Sequence, residues 1–492
     1  MGKYSVPPEI RAMRPEGTQV KRQGDHFYAY ETSSTKKKVE LSDGSFAWKT
    51  ITKSGKCLGS ITMKDGFIPN NNMVSDDSIT VLEYGSYALA LKSEETLRLL
   101  KGSFNAKDAN QIYVAAVITV VNGFTYMKDM KDIFEESFLS IEFPDVHVGE
   151  TALSTLYENL GRRGGRAAKF QQSLIDSSSK RIAFDGHVIA CTSEKNDLSE
   201  FGYKAAKLNS PQINWMTAYD VESGMPLANE MFSGSDPDKT SIQQFFERFS
   251  FKDTLFIVDR GFNTDTDKKL MSRNGNAYIV PMIHGRKDYG RIHEKIKFDK
   301  RKNFIYDKDG YSSLIYYQEF KGDGVRYFAY VDTTRQSAER KTYVKNMQEG
   351  KKGYSEEGLM ESEKDFGLFL LETSDTNKNA REIFCDYKSR WGIETFYNYV
   401  DNIVDFNALY QQDYCKTQGL SFVIQIAGMI FKEVKEIVES TKNSAKSSMR
   451  ILKGLKLSKE KGVWKMKNAT KEKRSLAEKT GITLTPNITS PA

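Results

Sequence analysis

The sequence predicts an α/β protein: a mixed sheet split by a strand-rich insertion and completed by a late helix. Three observations carry that expectation. Between residues 179 and 283, short apolar runs of strand composition alternate with amphipathic stretches. From residue 284 the text turns polar and strand-like, and beyond 375 it becomes helical again. The 492 residues are 39% hydrophobic and 28% charged, which fits a globular chain and excludes a disordered one. At ~150 residues per domain, the length suggests about three domains.

Residues 1–80 read as a basic, β-rich module. The segments DHFYAYETSS, GSFAWKTITKSG and CLGSITMKDGFIPN suggest strands, with hairpins around Asp43-Gly44 and Asp65-Gly66. Residues 81–178 read as a helical DNA-binding or linker region, because EETLRLLKGSF, ANQIYVAAVITVV and ALSTLYENLGRRGGRAAKFQQSLI carry helical spacing. Residues 179–283 form the first part of the core. There KRIAFDGHVIAC is a strand, and NWMTAYDV and PLANEMF are two more, joined by a turn at Glu222-Ser223-Gly224. SIQQFFERF is a helix, DTLFIVDRG a buried strand, DKKLMSRNG a helix ending at glycine, and NAYIVPMI a fifth strand. The order β-β-β-α-β-α-β with a late helix is that of a ribonuclease-H-like core, whose mixed sheet lets acids on adjacent strands face one site. Residues 284–375 read as a β-rich insertion, 376–440 as the helical second part of the core, and 441–492 as a basic, loosely ordered tail.

The bulk chemistry narrows the function. Net charge is +7, and between Thr441 and Lys479 thirteen Lys/Arg stand against three acids. A second basic excess, with Lys21-Arg22 and Lys36-Lys37-Lys38, marks the first 65 residues. Basic clusters of this kind suit a phosphate backbone or a solvated lysine-rich face. Cys57, Cys191, Cys385 and Cys415 are far apart and form no CxxC pair, which excludes a zinc ribbon and fits a reducing compartment. The longest apolar run, Leu420 to Phe431, is too short to span a bilayer. No charged-then-apolar leader opens the sequence, so a cytoplasmic protein is expected.

The candidate chemistry lies in YKSRWGIE, residues 387–394, read with two aspartates that follow apolar runs. Tyr387, Arg390 and Glu394 share one helical face. Asp185 follows Ile182-Ala183-Phe184, and Asp259 follows Leu255-Phe256-Ile257-Val258. Phosphodiester cleavage by two metal ions needs carboxylates from separate elements, and Mg²⁺ takes hard oxygen ligands. Asp185, Asp259 and Glu394 are therefore the candidate catalytic residues and ligands for two Mg²⁺ or Mn²⁺ ions. Arg390 and Tyr387 are candidate DNA-phosphate contacts. Asp220, at the end of WMTAYD, is the rival to Asp185. His187 shares a strand face with Asp185 and reads as structural, Arg260 as scaffold, and Trp391 as packing its helix.

These segments resemble bacterial insertion-sequence DDE transposases, in particular the group with a Y-x2-R-x3-E-x6-K signature and a β-strand insertion in the core. Tyr387, Arg390 and Glu394 match its first three letters in spacing; IVDRGF, AFDGH, FGYKAAK, MPLANEMFSGSDPD, GDHFYAYE and DGFIPN stand in similar places. The likeness covers most of residues 10–430. It implies an enzyme that binds terminal inverted repeats, cuts at the element's ends and joins the freed 3′-hydroxyl to target DNA without a covalent enzyme intermediate. It implies double-stranded DNA as partner and a homodimer or larger working complex. A ribonuclease-H-fold nuclease without strand transfer, or an inert transposon-derived DNA-binding protein, remains open. One position departs: Asp401 stands where the signature has lysine. On an unbroken α-helix it would lie about 20° from Glu394 in projection.

Overall fold

The computed structural model describes residues 6–484 except 41–45, 71–79, 192, 194, 203–209, 237, 309, 407, 410 and 461–462. The expected Asp43-Gly44 turn and most of FGYKAAK lie outside the described residues. The chain divides into two compact units, residues up to Val81 with Ser458–Lys465, and Leu82–Leu457 with the residues from Met466 on.

In the first unit, α1 (Pro8–Ala12) precedes an antiparallel meander of β1 (Thr18–Gln23), β2 (His26–Glu40), β3 (Phe46–Thr62) and β4 (Gly66–Pro69). Strand alternation turns Ala29 and Ile61 inward against Ile10, with Val20, Phe27 and Phe67 packed around them. The hairpin at Asp65-Gly66 forms where Gly66 takes φ +70°, a conformation open to a residue without Cβ.

After β5 (Thr80–Glu83) come helices α2 (Gly85–Ala90), α3 (Glu94–Ser103), α4 (Ala106–Asn122), α5 (Met130–Glu135), α6 (Leu139–Glu142), α7 (Glu150–Gly161) and α8 (Arg166–Ser177). The core strands come next: β6 (Arg181–Cys191), β7 (Gln212–Asp220) and β8 (Met225–Ser233), then α9 (Asp238–Arg248), β9 (Leu255–Val258), α10 (Asp265–Met271) and β10 (Ala277–Pro281). β6, β7 and β8 pair antiparallel, whereas β9 runs parallel to both β6 and β10. The order β8-β7-β6-β9-β10, flanked by helices, is consistent with a ribonuclease-H-like core.

Further elements extend this sheet. β11 (Asn303–Lys308), β12 (Tyr311–Lys321), β13 (Arg326–Asp332) and β14 (Leu368–Thr373) continue it in the order β10-β14-β13-β12-β11, so the strands after residue 284 belong to the same sheet. Alongside them lie α11 (Lys287–His293) and two helices that strand composition does not anticipate, α12 (Thr333–Gln348) and α13 (Glu356–Ser362). α12 buries none of its residues, so it carries no apolar stripe to announce a helix.

α14 (Ala380–Ser389) opens with a capping box between Asn379 and Glu382 and packs Ile383 and Phe384 onto Leu255, Ile257, Ile279 and Phe328. α15 (Trp391–Tyr399) comes directly after it, then a π-helical turn at Val400–Val404, β15 (Ala408–Leu409) beside β6, and the long α16 (Tyr414–Val438). The basic C-terminal stretch, expected to be loosely ordered, instead carries α17 (Ala445–Lys453), β16 (Lys456–Glu460), β17 (Val463–Lys467) and α18 (Lys471–Lys479). Its order comes from a few apolar residues among the lysines: Met449, Leu452 and Leu476 are buried. Among the described residues, no helix is long and apolar enough to cross a membrane.

α16 closes the β8 end of the sheet. Gln418 donates to the Met231 carbonyl (2.6 Å) and accepts from the Met231 N–H (3.0 Å), and Gln425 donates to the carbonyls of Pro226 (3.0 Å) and Leu227 (2.9 Å). The two glutamines, two helical turns apart, satisfy edge-strand groups that burial would leave without water. The helix comes close to α7 because both carry glycine at the crossing. A Cβ at Gly419 would run into the Tyr157 carbonyl, and one at Gly161 into that of Cys415. Gly419→Ala should therefore destabilise the fold by about 2 kcal/mol, read as a lower urea midpoint; an unchanged midpoint would mean that the two helices can separate freely.

Asp220 ends β7 and ties the sheet to the end of α8. Its carboxylate accepts from the Ser179 amide (2.9 Å) and hydroxyl (2.5 Å) and from the Glu222 amide (3.0 Å). Burial alone would raise its pKa; the bonds from Ser179 and Glu222 outweigh burial and hold it below the ordinary carboxylate value. The charged form is thus favoured by folding. This contribution is complete above about pH 4 and fades as pH falls through the lowered value. Asp220→Asn should lose about 2 kcal/mol at neutral pH, and the gap to the native protein should narrow on acidification. A constant gap down to pH 2 would contradict this account.

Candidate active site

Parallel pairing brings the two aspartates together. β6 and β9 are in register with Arg181 opposite Leu255 and Phe184 opposite Val258. Each pair is offset by the same interval in sequence, 258 − 184 = 74, which also separates Asp185 from Asp259 (259 − 185 = 74). The two acids stand at matched positions on neighbouring strands, Asp185 within β6 and Asp259 just past the end of β9. Asp259 then caps the 3₁₀ turn Arg260–Phe262, so Arg260 belongs to that turn and not to a continuing strand.

Glu394 reaches the same place from α15. The chain passes from α14 to α15 through Arg390, whose backbone is helical (φ −52°, ψ −31°). The break leaves the stripe intact, since the Arg390 guanidinium donates to Glu394 one turn on. Another of its nitrogens lies 3.5 Å from Asp185 Oδ2. Arg390, itself well buried, thus spans two of the three carboxylates.

Electrostatics bind the group together. Burial pushes the Asp185 carboxyl up to about 6; the Gly186 N–H (2.8 Å) and Arg390 oppose that rise, while Asp259 and Glu394 add to it. Burial would lower Arg390, but Tyr387, Glu394, Asp185 and Asp259 raise it above its usual value. Tyr387 is raised by burial first, and Arg390 opposes this, so its phenol stays a protonated donor. All five residues singled out in the sequence therefore feel one another. Among the described residues, no group of three or more His, Cys, Asp or Glu side chains is gathered tightly enough to hold a metal ion. The donors nonetheless suit Mg²⁺, which takes one or two protein carboxylates and keeps several waters. In the structure the cation nearest these acids is Arg390.

Asp220 lies elsewhere on the sheet. It pairs in register with Ile182, whereas Asp185 faces Thr217, and its oxygens serve the Ser179 and Glu222 bonds. Trp391, expected to pack its helix, is instead 67% exposed beside Arg390. Gly392 lets α15 approach β7: a Cβ there would come within 2.8 Å of the Tyr219 ring.

Three contacts escape the sequence reading. His187 Nε2–H donates to Asp401 Oδ1 at 2.9 Å, and the His187 ring stacks on Tyr397, with centroids 4.7 Å and planes 18° apart. Tyr397 in turn donates to the backbone carbonyl of Asp185 at 2.9 Å. The available signals were the shared face of Asp185 and His187, and a carboxylate where the signature has lysine.

Residues 176–409 match the family described as Transposase DDE domain, an interval that holds all five candidate residues. No curated protein matches. Among solved structures, the chain is similar to one titled "Cryo-EM structure of piggyBac transposase synaptic complex with hairpin DNA (SNHP)", with 11% identity, 83% of this chain and 86% of that chain covered, and a TM-score of 0.39. A DDE-transposase-like domain is thus present over residues 176–409, which supports a function within the transposase and nuclease superfamily and, in general terms, phosphoryl transfer.

Proposed function

We propose that the chain is the DNA transposase of an insertion sequence, which binds terminal inverted repeats, cuts at the element's ends and joins the freed 3′ end to target DNA by cut and paste. The observation that carries this reading is the matched placement of Asp185 and Asp259 on β6 and β9, with Glu394 linked to Asp185 through Arg390.

In this reading Asp185, Asp259 and Glu394 would hold two Mg²⁺ or Mn²⁺ ions, which when bound supply Lewis-acid activation of the attacking oxygen and stabilise the leaving one. The residues of the chain do the rest. Arg390 presents a five-donor fork beside the acids and takes phosphate oxygens in bidentate fashion. Tyr387, protonated by virtue of its burial, donates to another phosphate oxygen. The sheet and α14 hold these groups rigidly, so a scissile phosphate meets them already oriented. Basic residues of 1–80 and 441–479 supply salt-dependent affinity for the DNA backbone, and the working complex is a homodimer or larger, acting on DNA in the bacterial cytoplasm.

The test is Mg²⁺-dependent cleavage of a duplex carrying the DNA that flanks the coding region, and then joining of the product to a plasmid. Asp185→Asn, Asp259→Asn and Glu394→Gln should each lower cleavage about 10³-fold or more while gel-shift affinity for the same duplex holds. Cleavage that survives any of the three would overturn the assignment. Cleavage without joining would reduce the function to that of a nuclease.

A further inference from the structure

Taking Asp185, Asp259 and Glu394 as the cation-binding acids, we propose that His187 and Asp401 are positioning residues that hold the helix bearing Glu394 against the strand bearing Asp185. The pair belongs to this chain in particular, since Asp401 occupies the position where the resembling group has lysine.

The geometry is a ladder between β6 and α15. Asp185 and His187 are alternate residues on β6 and so share one face. Glu394 and Tyr397 are three residues apart on α15 and so share one side of the helix. The Tyr397 hydroxyl donates to the Asp185 carbonyl, the His187 ring lies flat on the Tyr397 ring, and His187 Nε2–H donates to Asp401 Oδ1. Strand and helix are thus joined at Asp185 and again two residues along, at His187.

The second rung stands where α15 ends. α15 runs into the π-helical turn Val400–Val404, which closes with Asp405 at φ +58° and its N–H donating to the Val400 carbonyl. Asp401 lies close to Glu394 in helical projection and, about two turns further along, meets His187 of β6. It acts as a strut between the strand and the helix end.

The consequence is specific. Both side chains are partly exposed, 24% for His187 and 31% for Asp401, so their pairing adds little to global stability. Yet removal of a group that orients a metal ligand commonly costs 10–100-fold in affinity, about the scale expected here. Loss of the strut would let α15 shift and move the Glu394 carboxylate relative to Asp185.

The experiment measures Mn²⁺ binding to the full-length protein without DNA, by electron paramagnetic resonance, with thermal unfolding in parallel. Asp401→Ala and His187→Ala should each weaken Mn²⁺ binding about tenfold or more with the unfolding midpoint nearly unchanged. Asp401→Asn keeps the acceptor oxygen and should restore native binding. The double variant should be no weaker than either single one, because both remove the same contact. Native affinity in Asp401→Ala would overturn the positioning role and leave the assignment of the three acids standing. Equal losses in Asp401→Ala and Asp401→Asn would also overturn it, since charge and not the hydrogen bond would then carry the effect. Absence of Mn²⁺ binding by the native protein, or native affinity in Glu394→Gln, would overturn the cation site itself and the inference with it.

Discussion

Three carboxylates brought to one end of a sheet repel one another, and at least Asp185 does so with little water to screen it. That repulsion is the constraint to which the surrounding structure answers. Parallel pairing of β6 and β9 fixes the two aspartates side by side, and the helix carrying Glu394 can dock only if a compensating charge comes with it. Arg390 is that charge. It travels on the same segment as Glu394, so the helix brings its own counter-ion. Removal of one partner from such a part-buried group leaves the other charge short of compensation. Besides the phosphate contact proposed for it, Arg390 is for this reason a structural residue.

The segment from Asn379 to Val404 is shaped by departures from a straight helix. Its first part is ordinary: a capping box, then an apolar face on the sheet. At Arg390 α14 gives way to α15, where Trp391 is exposed and Gly392 lies close to Tyr219. At Val400 it widens into a π turn held between packed neighbours, with Phe406 buried against Trp215 and Phe124.

Much of this was legible in the sequence, for identifiable reasons. The strands of the core announce themselves as apolar runs ending in turn residues, and the acids at Asp185 and Asp259 stand out because a charge closes or interrupts such a run. Tyr387, Arg390 and Glu394 survive the helix break as a stripe because local i, i+4 geometry persists across Arg390. The features that stayed hidden lack a local signal. α12 buries nothing and so has no periodicity. The C-terminal helices carry few apolar residues among many lysines. The pairing of His187 with Asp401 joins positions 214 apart, each unremarkable alone. Trp391 is exposed although its residue type favours burial.

The capping of β8 by Gln418 and Gln425 also has a meaning for how this sheet behaves among other molecules. A strand with unpaired backbone groups is an invitation to a neighbouring chain, and here one border of the sheet has been closed by side-chain amides. The opposite border, β11, alternates outward-facing residues with partly covered ones, and Asp307 and Lys308 stand at its end beside an exposed Ile305. The sheet is therefore one-sided in its stickiness. Among the described residues a foreign strand finds its more open border at β11, against charge at one end, so a tendency to aggregate during synthesis or refolding leans toward that short ribbon.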